Sequence, residues 1–392
     1  MIKNRVTYGI IITAALVMVY FENGRMSFTF LYAILLMPII SVLMCRLSLF
    51  GLSITQTVDK DLIIKGEETQ FHILAFNRGF YITPVLSFTF IKSHYAIQSN
   101  AEDIKLAMQA RSKHDISFTL SCKYRGVYFV GLQSVQALDF LGLFTLNRYW
   151  KDRMRLVVYP RVIEIEHFPL SMNLMSKSYS RYEVREEDYS AISDVRPYLP
   201  SDSMKRIHWK LSAKRNGFIV KNYENTALNS VVVFWDRLLI KGSEQYAVIA
   251  EDKSVEILVA LGYYCLKKKI PVDLFYGADE PLSAVNILDF EKIYACSAHS
   301  EFFQGELMEN ALGSFLNAQT NQINLSIITS HLTEILLNEL AGAHYFGHHV
   351  ILTYIPPQQE SAGSARVFDL LKDIGMYAFR IHINDDILDH FY

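Results

Sequence analysis

Cysteine is scarce in this sequence, with four residues in a chain of 392. The four are far apart, form no C-x-x-C pair and have no clustered histidine partners: Cys45, Cys122, Cys265 and Cys296. This spacing argues against both a secreted disulfide scaffold and a zinc finger. We therefore expect reduced, mostly structural thiols in a reducing compartment.

Motifs for nucleotide binding and hydrolysis are also missing. The sequence has no G-x-x-x-x-G-K-[ST], no G-x-G-x-x-G, no H-E-x-x-H and no G-x-S-x-G. His344, His348 and His349 lie close together, but no acidic residue accompanies them, so a zinc site is not expected there. We predict a protein without a cofactor, a resident metal or an established type of catalytic site.

Strong charge of either sign is absent, since 38 basic residues face 40 acidic ones. This balance argues against a chain that coats nucleic acid, although a local basic patch remains compatible with it. Apolar residues, in contrast, make up 51% of the chain, which is too many for a disordered protein. The N-terminus accounts for much of this excess.

Residues 6–21 and 28–45 are two apolar runs without charge, joined by a short polar link. Each is near the lower end of the roughly 17–25 residues that a transmembrane helix needs. No small-x-small cleavage site follows the first run, which argues against a signal peptide. We predict a transmembrane helical hairpin within residues 1–50. Lysine and arginine flank its outer ends, so the positive-inside rule places the soluble domains in the cytoplasm.

Residues 52–165 change to short alternating apolar segments separated by turn residues. Strand-length pieces at intervals of about 8–12 residues predict an all-β, immunoglobulin-like sandwich. Gly142 interrupts an apolar run and indicates a bend, and Pro160 should end strand pairing. Residues 166–190 are polar, mixed in charge and without periodicity, and we interpret them as an exposed linker.

Residues 191–392 contain a dense motif followed by alternating strands and amphipathic helices. From residue 228 onward this alternation predicts an open parallel α/β sheet. Ligands bind such sheets at the carboxyl ends of the strands, where Asp236 follows a buried run. A von Willebrand A-type site would have the pattern Asp-x-Ser-x-Ser there, but the chain has Asp-Arg-Leu-Leu-Ile. We interpret Asp236 as a degenerate metal position, paired with the neighbouring arginine.

The dense motif, residues 196–217, carries six basic side chains within 22 positions. We expect a helix that begins at residue 203, capped by Asp202 or Ser203 and ended by a left-handed Asn-Gly stop. Arg206, Lys210 and Lys214 recur every four residues and would form a basic stripe on one face. Trp209 is expected to pack inside.

These residues resemble the signature of the bacterial DUF58 family. The resemblance rests on the motif and on three phrases in the family's order, at Arg125–Tyr128, Asp139–Phe144 and Tyr159–Arg161. Ser201, Phe140 and Lys214 depart from its usual Gly, Pro and Arg. Membership implies a bacterial inner-membrane protein with two spans and a von Willebrand A-like region. It also implies association with MoxR-type AAA+ ATPases, von Willebrand A proteins and transglutaminase-like membrane proteins, and no established enzymatic activity.

Three functions compete on this sequence. The first is a non-enzymatic, membrane-anchored adaptor that faces the cytoplasm and binds protein partners. The second is a hydrolase acting on nucleic acid or a phosphate-bearing substrate at residues 196–217, and the third is a metal-dependent binding domain at Asp236. We favour the adaptor. Its motif residues are Arg196, Tyr198, Asp202, Arg206, Trp209, Lys210, Ser212 and Lys214.

Overall fold

The structure is a computed structural model with two compact units, Met1–Arg161 and Val162–Tyr392. It describes residues 2–22, 24–91, 97–99, 104–171, 187–198, 207–215, 218–225, 230–277, 281–305, 308–319 and 321–391. The boundary at 161 lies a few residues before the predicted end of the sandwich.

Two long apolar helices open the first unit, α1 (Ile2–Glu22) and α2 (Arg25–Phe50). At 1.5 Å per residue they are about 31 Å and about 39 Å long, enough to cross a hydrocarbon core of about 30 Å. Little of their apolar surface is buried within the protein. By length and composition both are candidate membrane spans, and they contain the predicted runs.

The rest of the first unit is β-rich and contains three sheets around one core. One sheet has the order β1-β3-β7-β5, the second β10-β9-β4-β6 and the third β2-β11-β8. The strands are β1 (Leu52–Val58), β2 (Leu62–Ile64), β3 (Glu68–Asn77), β4 (Leu86–Phe90), β5 (Ile97–Ser99), β6 (Ile104–Leu106), β7 (Lys113–Cys122), β8 (Gly126–Val130), β9 (Leu132–Leu138), β10 (Thr145–Tyr149) and β11 (Met154–Tyr159). The predicted β-rich character and the strand end before Pro160 are confirmed.

The turn between β9 and β10 joins this core to α2. Asp139 is buried, and its carboxylate accepts hydrogen bonds from Ser41 Oγ at 2.7 Å and Phe144 N at 2.6 Å. Gly142 adopts a φ of 67°, the left-handed region that favours glycine. The bend predicted at this glycine is confirmed, and Asp139 satisfies backbone amides that a tight turn would otherwise leave unpaired.

The second unit is an α/β domain with a six-stranded sheet in the order β16-β15-β14-β17-β18-β19. Neighbouring strands are parallel except at the edge, where β16 is antiparallel to β15. The strands are β14 (Val231–Trp235), β15 (Val272–Phe275), β16 (Leu282–Ala284), β17 (Asn324–Thr329), β18 (His349–Tyr354) and β19 (Tyr377–Arg380). A two-stranded antiparallel ribbon, β12 (Glu187–Pro197) and β13 (Ile219–Asn225), precedes them with the short helix α3 (Trp209–Arg215).

Helices cover both faces of this sheet. Alternate β14 residues belong to two separate cores, Val233 to the core with α4 (Glu244–Lys267) and α5 (Phe290–His299), and Phe234 to the other. That second core includes α6 (Glu309–Asn317), α7 (Glu334–Tyr345) and α8 (Ala362–Asp373). Because β14 is buried on both faces, its sequence is continuously apolar, as is usual for a central parallel strand.

The predicted linker, residues 166–190, overlaps structured segments of the second unit at both ends. Phe168 is buried in the core beside α4, and Ser171 N donates to Asn324 Oδ1 at 3.0 Å. At the other end, β12 begins at Glu187. The sequence does not predict this packing, because each contact is made by a single residue and no periodic apolar pattern marks it.

All four cysteines lie among the described residues and are free thiols. Burial raises the pKa of Cys122 to about 11 and that of Cys265 to about 12, which keeps both protonated. Both side chains are buried, in keeping with the predicted structural role, and the reducing compartment stays a prediction.

Candidate functional site

The dense motif presents aromatic and basic side chains together. Trp209 and Phe218 are 62% and 58% exposed, and their ring centroids lie 6.1 Å apart in an edge-to-face arrangement. Lys210 and Lys214 are also exposed. We call these four residues the aromatic–basic surface. Tyr198 extends the aromatic group, because its ring lies 6.1 Å from Phe218 and its backbone N donates to Phe218 O.

The helix of the motif is shorter than predicted. Ile207 forms a β-bridge with Val220, His208 is not helical, and α3 begins at Trp209. His208 occupies the capping place that we predicted for Asp202 or Ser203, because its Nδ1 accepts from Leu211 N at 3.3 Å. Residues 203–206 lie outside the described residues, but residues 207 and 208 are not helical, so the prediction of one continuous helix from residue 203 is wrong. A long-range pairing with β13 overrides local helix propensity here, as tertiary context often does.

Trp209 does not pack inside, contrary to the prediction. The buried side of α3 belongs instead to Ser212, which is 8% exposed. Its Oγ accepts from Ile219 N at 2.9 Å, so the hydroxyl joins the helix to β13. The sequence offers no signal for this, because the two residues become neighbours only when the chain reverses after α3.

The structure describes the other predicted motif residues to different extents. Arg196 lies in β12 opposite Val220, and nothing is described of its side chain. Asp202 and Arg206 lie outside the described residues. The basic stripe is thus seen at Lys210 and Lys214, four residues apart on α3.

Asp236 lies directly after β14 and is 7% exposed. Its Oδ2 accepts from Thr329 Oγ1 at 2.7 Å and lies 3.0 Å from His331 Nδ1, while Oδ1 accepts from Leu238 N at 2.9 Å. The predicted pairing with Arg237 is wrong. The Arg237 guanidinium turns away and donates from Nε to Tyr276 O at 2.6 Å.

Thr329 and His331 are functional candidates that the sequence did not reveal. They follow β17, which pairs with β14 at the centre of the sheet. The chain builds the sheet outward from these two strands in opposite directions, so the carboxyl ends of β14 and β17 form a topological switch point, the usual ligand position in open α/β sheets. Thr329 and His331 lie 93 and 95 positions from Asp236 in the sequence, so only knowledge of the strand order could have placed them beside it.

The donors around Asp236 are those of a protein network rather than of a metal centre. Both carboxylate oxygens are already occupied by protein groups. Within the part of the chain that the structure describes, no group of three His, Cys, Asp or Glu side chains could hold a metal ion. His348 and His349 instead contact backbone at Ile323 N and Pro169 O.

Comparison with known proteins gives only distant likenesses. No protein-family model matches the chain, and no curated protein does at a significant level. Solved structures that resemble it include a CARDB domain from Pyrococcus furiosus (10% identity, 28% of this chain, 94% of that chain, TM-score 0.20) and the C-terminal domain of Wzt (12%, 28%, 73%, 0.21). A type I cohesin from Pseudobacteroides cellulosolvens is similar at 12% identity, over 29% of this chain and 97% of that chain, with a TM-score of 0.20. At these scores the likenesses assign neither a family nor a function to the chain.

Proposed function

We propose that this chain is a non-enzymatic adaptor, anchored in a membrane by α1 and α2, that docks a protein partner on the aromatic–basic surface. The single observation that carries the proposal is the exposure of Trp209 and Phe218 beside Lys210 and Lys214. Exposed aromatic rings contribute binding energy at interfaces, and basic side chains steer an acidic partner and orient it.

The construction of this surface supports docking rather than catalysis. Ser212 and His208 hold α3 against β13 through hydrogen bonds, so both take part in the local architecture. Among the described motif residues, His208 is the candidate general base of a hydrolase, and the hydrogen bond from Leu211 N to its Nδ1 gives this side chain a capping role in α3. Metal-dependent binding at Asp236 is also disfavoured, because three protein groups already use its carboxylate oxygens.

The partner class and the membrane orientation come from the sequence. The resemblance to DUF58 suggests a MoxR-type AAA+ ATPase as partner, within an envelope-related assembly or stress response, alongside other von Willebrand A or transglutaminase-like membrane proteins. The flanking basic residues Lys3, Arg5 and Arg46 favour a cytoplasmic location for both units. We further propose that the second unit is a degenerate von Willebrand A-like domain, supported by its open sheet and by Asp236 at the switch point.

The test is affinity capture of the full chain from native membranes, compared between wild type and K210E/K214E. We expect the double charge reversal to abolish recovery of an AAA+ ATPase, because an acidic partner would then be repelled. W209A should also weaken recovery, by at least about tenfold in affinity if the ring is an interface anchor of about 2 kcal/mol.

A matched control is K241E/K372E, which reverses two other exposed lysines of the same unit. This variant should recover the ATPase as wild type does. Equal recovery by wild type and K210E/K214E would rule out docking on the aromatic–basic surface, and equal loss in both double variants would show a nonspecific charge effect.

A further inference from the structure

A cavity of about 320 Å³ opens at the carboxyl ends of β14 and β15, separate from the aromatic–basic surface. Its walls are mainly aromatic and aliphatic, with Tyr276, Phe303 and Met308 among them. This volume is at the lower end of the range for small-molecule sites, roughly 300–1,000 Å³. The site therefore suits a small ligand with an apolar body.

Arg237 supplies a fixed cation to this cavity. Its guanidinium carbon lies 5.0 Å from the ring centroid of Tyr276 and 5.2 Å from that of Phe303, so two aromatic rings flank the charge. The backbone is held as well, because Arg237 O accepts from Phe303 N at 3.0 Å. A guanidinium held in this way loses little conformational entropy when it binds an anion.

Within the described part of the chain, the Nη groups of Arg237 are open to a ligand. Only Nε donates to a protein acceptor, at Tyr276 O, and no acceptor for the Nη groups is found in the described part of the chain. The neighbouring carboxylate of Asp236 is directed to Thr329, His331 and Leu238 instead. Among the described lining residues, Arg237 therefore offers an open positive fork, with Asp236 and Asn310 as polar neighbours in an otherwise mostly apolar wall.

We propose that this cavity binds a small aromatic monocarboxylate, with the carboxylate on the Nη fork of Arg237 and the ring between Tyr276, Phe303 and Met308. A planar carboxylate matches the guanidinium fork in a bidentate pair. Aromatic walls and a thioether favour a flat apolar ring over a polar body. This site is independent of the proposed adaptor function and uses none of the residues of the aromatic–basic surface.

The test uses isothermal titration of the full chain in lipid nanodiscs with phenylacetate, and with phenylacetamide as an uncharged probe of the same shape. We expect saturable binding of phenylacetate with one site per chain. Phenylacetamide and the variant R237Q should each lower the affinity at least about tenfold, as expected when a charge-assisted hydrogen-bonded pair is removed. K241Q is the control, because Lys241, like Arg237, follows β14. This variant removes a positive charge there and should leave the affinity unchanged.

A second variant tests the position of the ligand without touching the cation. A311L adds volume to the wall of the cavity and should reduce phenylacetate binding at least about tenfold while Arg237 is intact. The proposal is overturned if wild type shows no saturable phenylacetate binding, if R237Q binds as wild type does, or if A311L leaves the affinity unchanged. R237K should bind more weakly than wild type, because lysine keeps the charge but lacks the fork.

Discussion

Replacing Asp236 by alanine tests whether the switch-point carboxylate has a structural role or binds a metal. The side chain is 7% exposed and accepts from three groups, Thr329 Oγ1, His331 Nδ1 and Leu238 N. If the network is structural, D236A should destabilise the second unit whether or not a divalent cation is present.

The expected loss of stability depends on whether each group that donated to Asp236 finds another acceptor. Thr329 Oγ1 can turn to His331 O at 3.1 Å, and the His331 side chain is 21% exposed, so water compensates these two in part. Leu238 N loses its side-chain acceptor. With about 1.5–3 kcal/mol for each hydrogen bond to a charged group, partial compensation leaves a loss of about 3 kcal/mol. For a unit of this size that corresponds to a Tm lower by about 6–12 °C.

The measurement is thermal unfolding followed by the fluorescence of Trp235, which adjoins Asp236, in a chain whose Trp150 and Trp209 are replaced by phenylalanine. D369A is the matched control, because Asp369 is exposed, and its Tm should stay within about 2 °C of the parent. An unchanged Tm in D236A would refute the network argument. Stabilisation of the parent, but not of D236A, by millimolar Mg²⁺ or Mn²⁺ would restore the metal interpretation.

Three further outcomes are expected. S212A should destabilise the packing of α3 on β13 by about 1–3 kcal/mol, because Ile219 N loses its acceptor. Hydrogen exchange at the Ile219 amide should become faster in S212A, and it should be unchanged in S314A, because Ser314 is exposed. Burial lowers the pKa of His348 from its ordinary 6.5, so neutral His348 contributes fully to stability above pH 6.5, and this contribution is lost as the pH falls toward the lowered pKa. Between about pH 7.5 and 5, the unfolding midpoint should therefore fall less in H348N than in wild type. The same pH dependence in both proteins would contradict this. R148M should loosen the junction of α2 and β1, because Arg148 Nη1 donates to Leu49 O at 2.6 Å and to Leu52 O at 3.1 Å. Faster proteolysis near residue 50 should follow, whereas R155M should leave the rate unchanged.

The sequence by itself determined the elements that depend on local pattern. Two charge-free runs are sufficient to specify long apolar helices, and alternation at period two specifies strands such as β3 and β7. The buried run that ends at Trp235 likewise indicates a central parallel strand. In each case the information lies within about ten consecutive residues.

Tertiary structure alone decided the contacts between distant residues. Thr329 and His331 meet Asp236 because β17 lies beside β14, and Ser212 meets Ile219 because the chain reverses after α3. The same long-range pairing interrupts the helix predicted from residue 203, since Ile207 bridges to β13 and α3 begins only at Trp209. Local propensity is worth tenths of a kcal/mol per residue, roughly, and a buried pairing outweighs it.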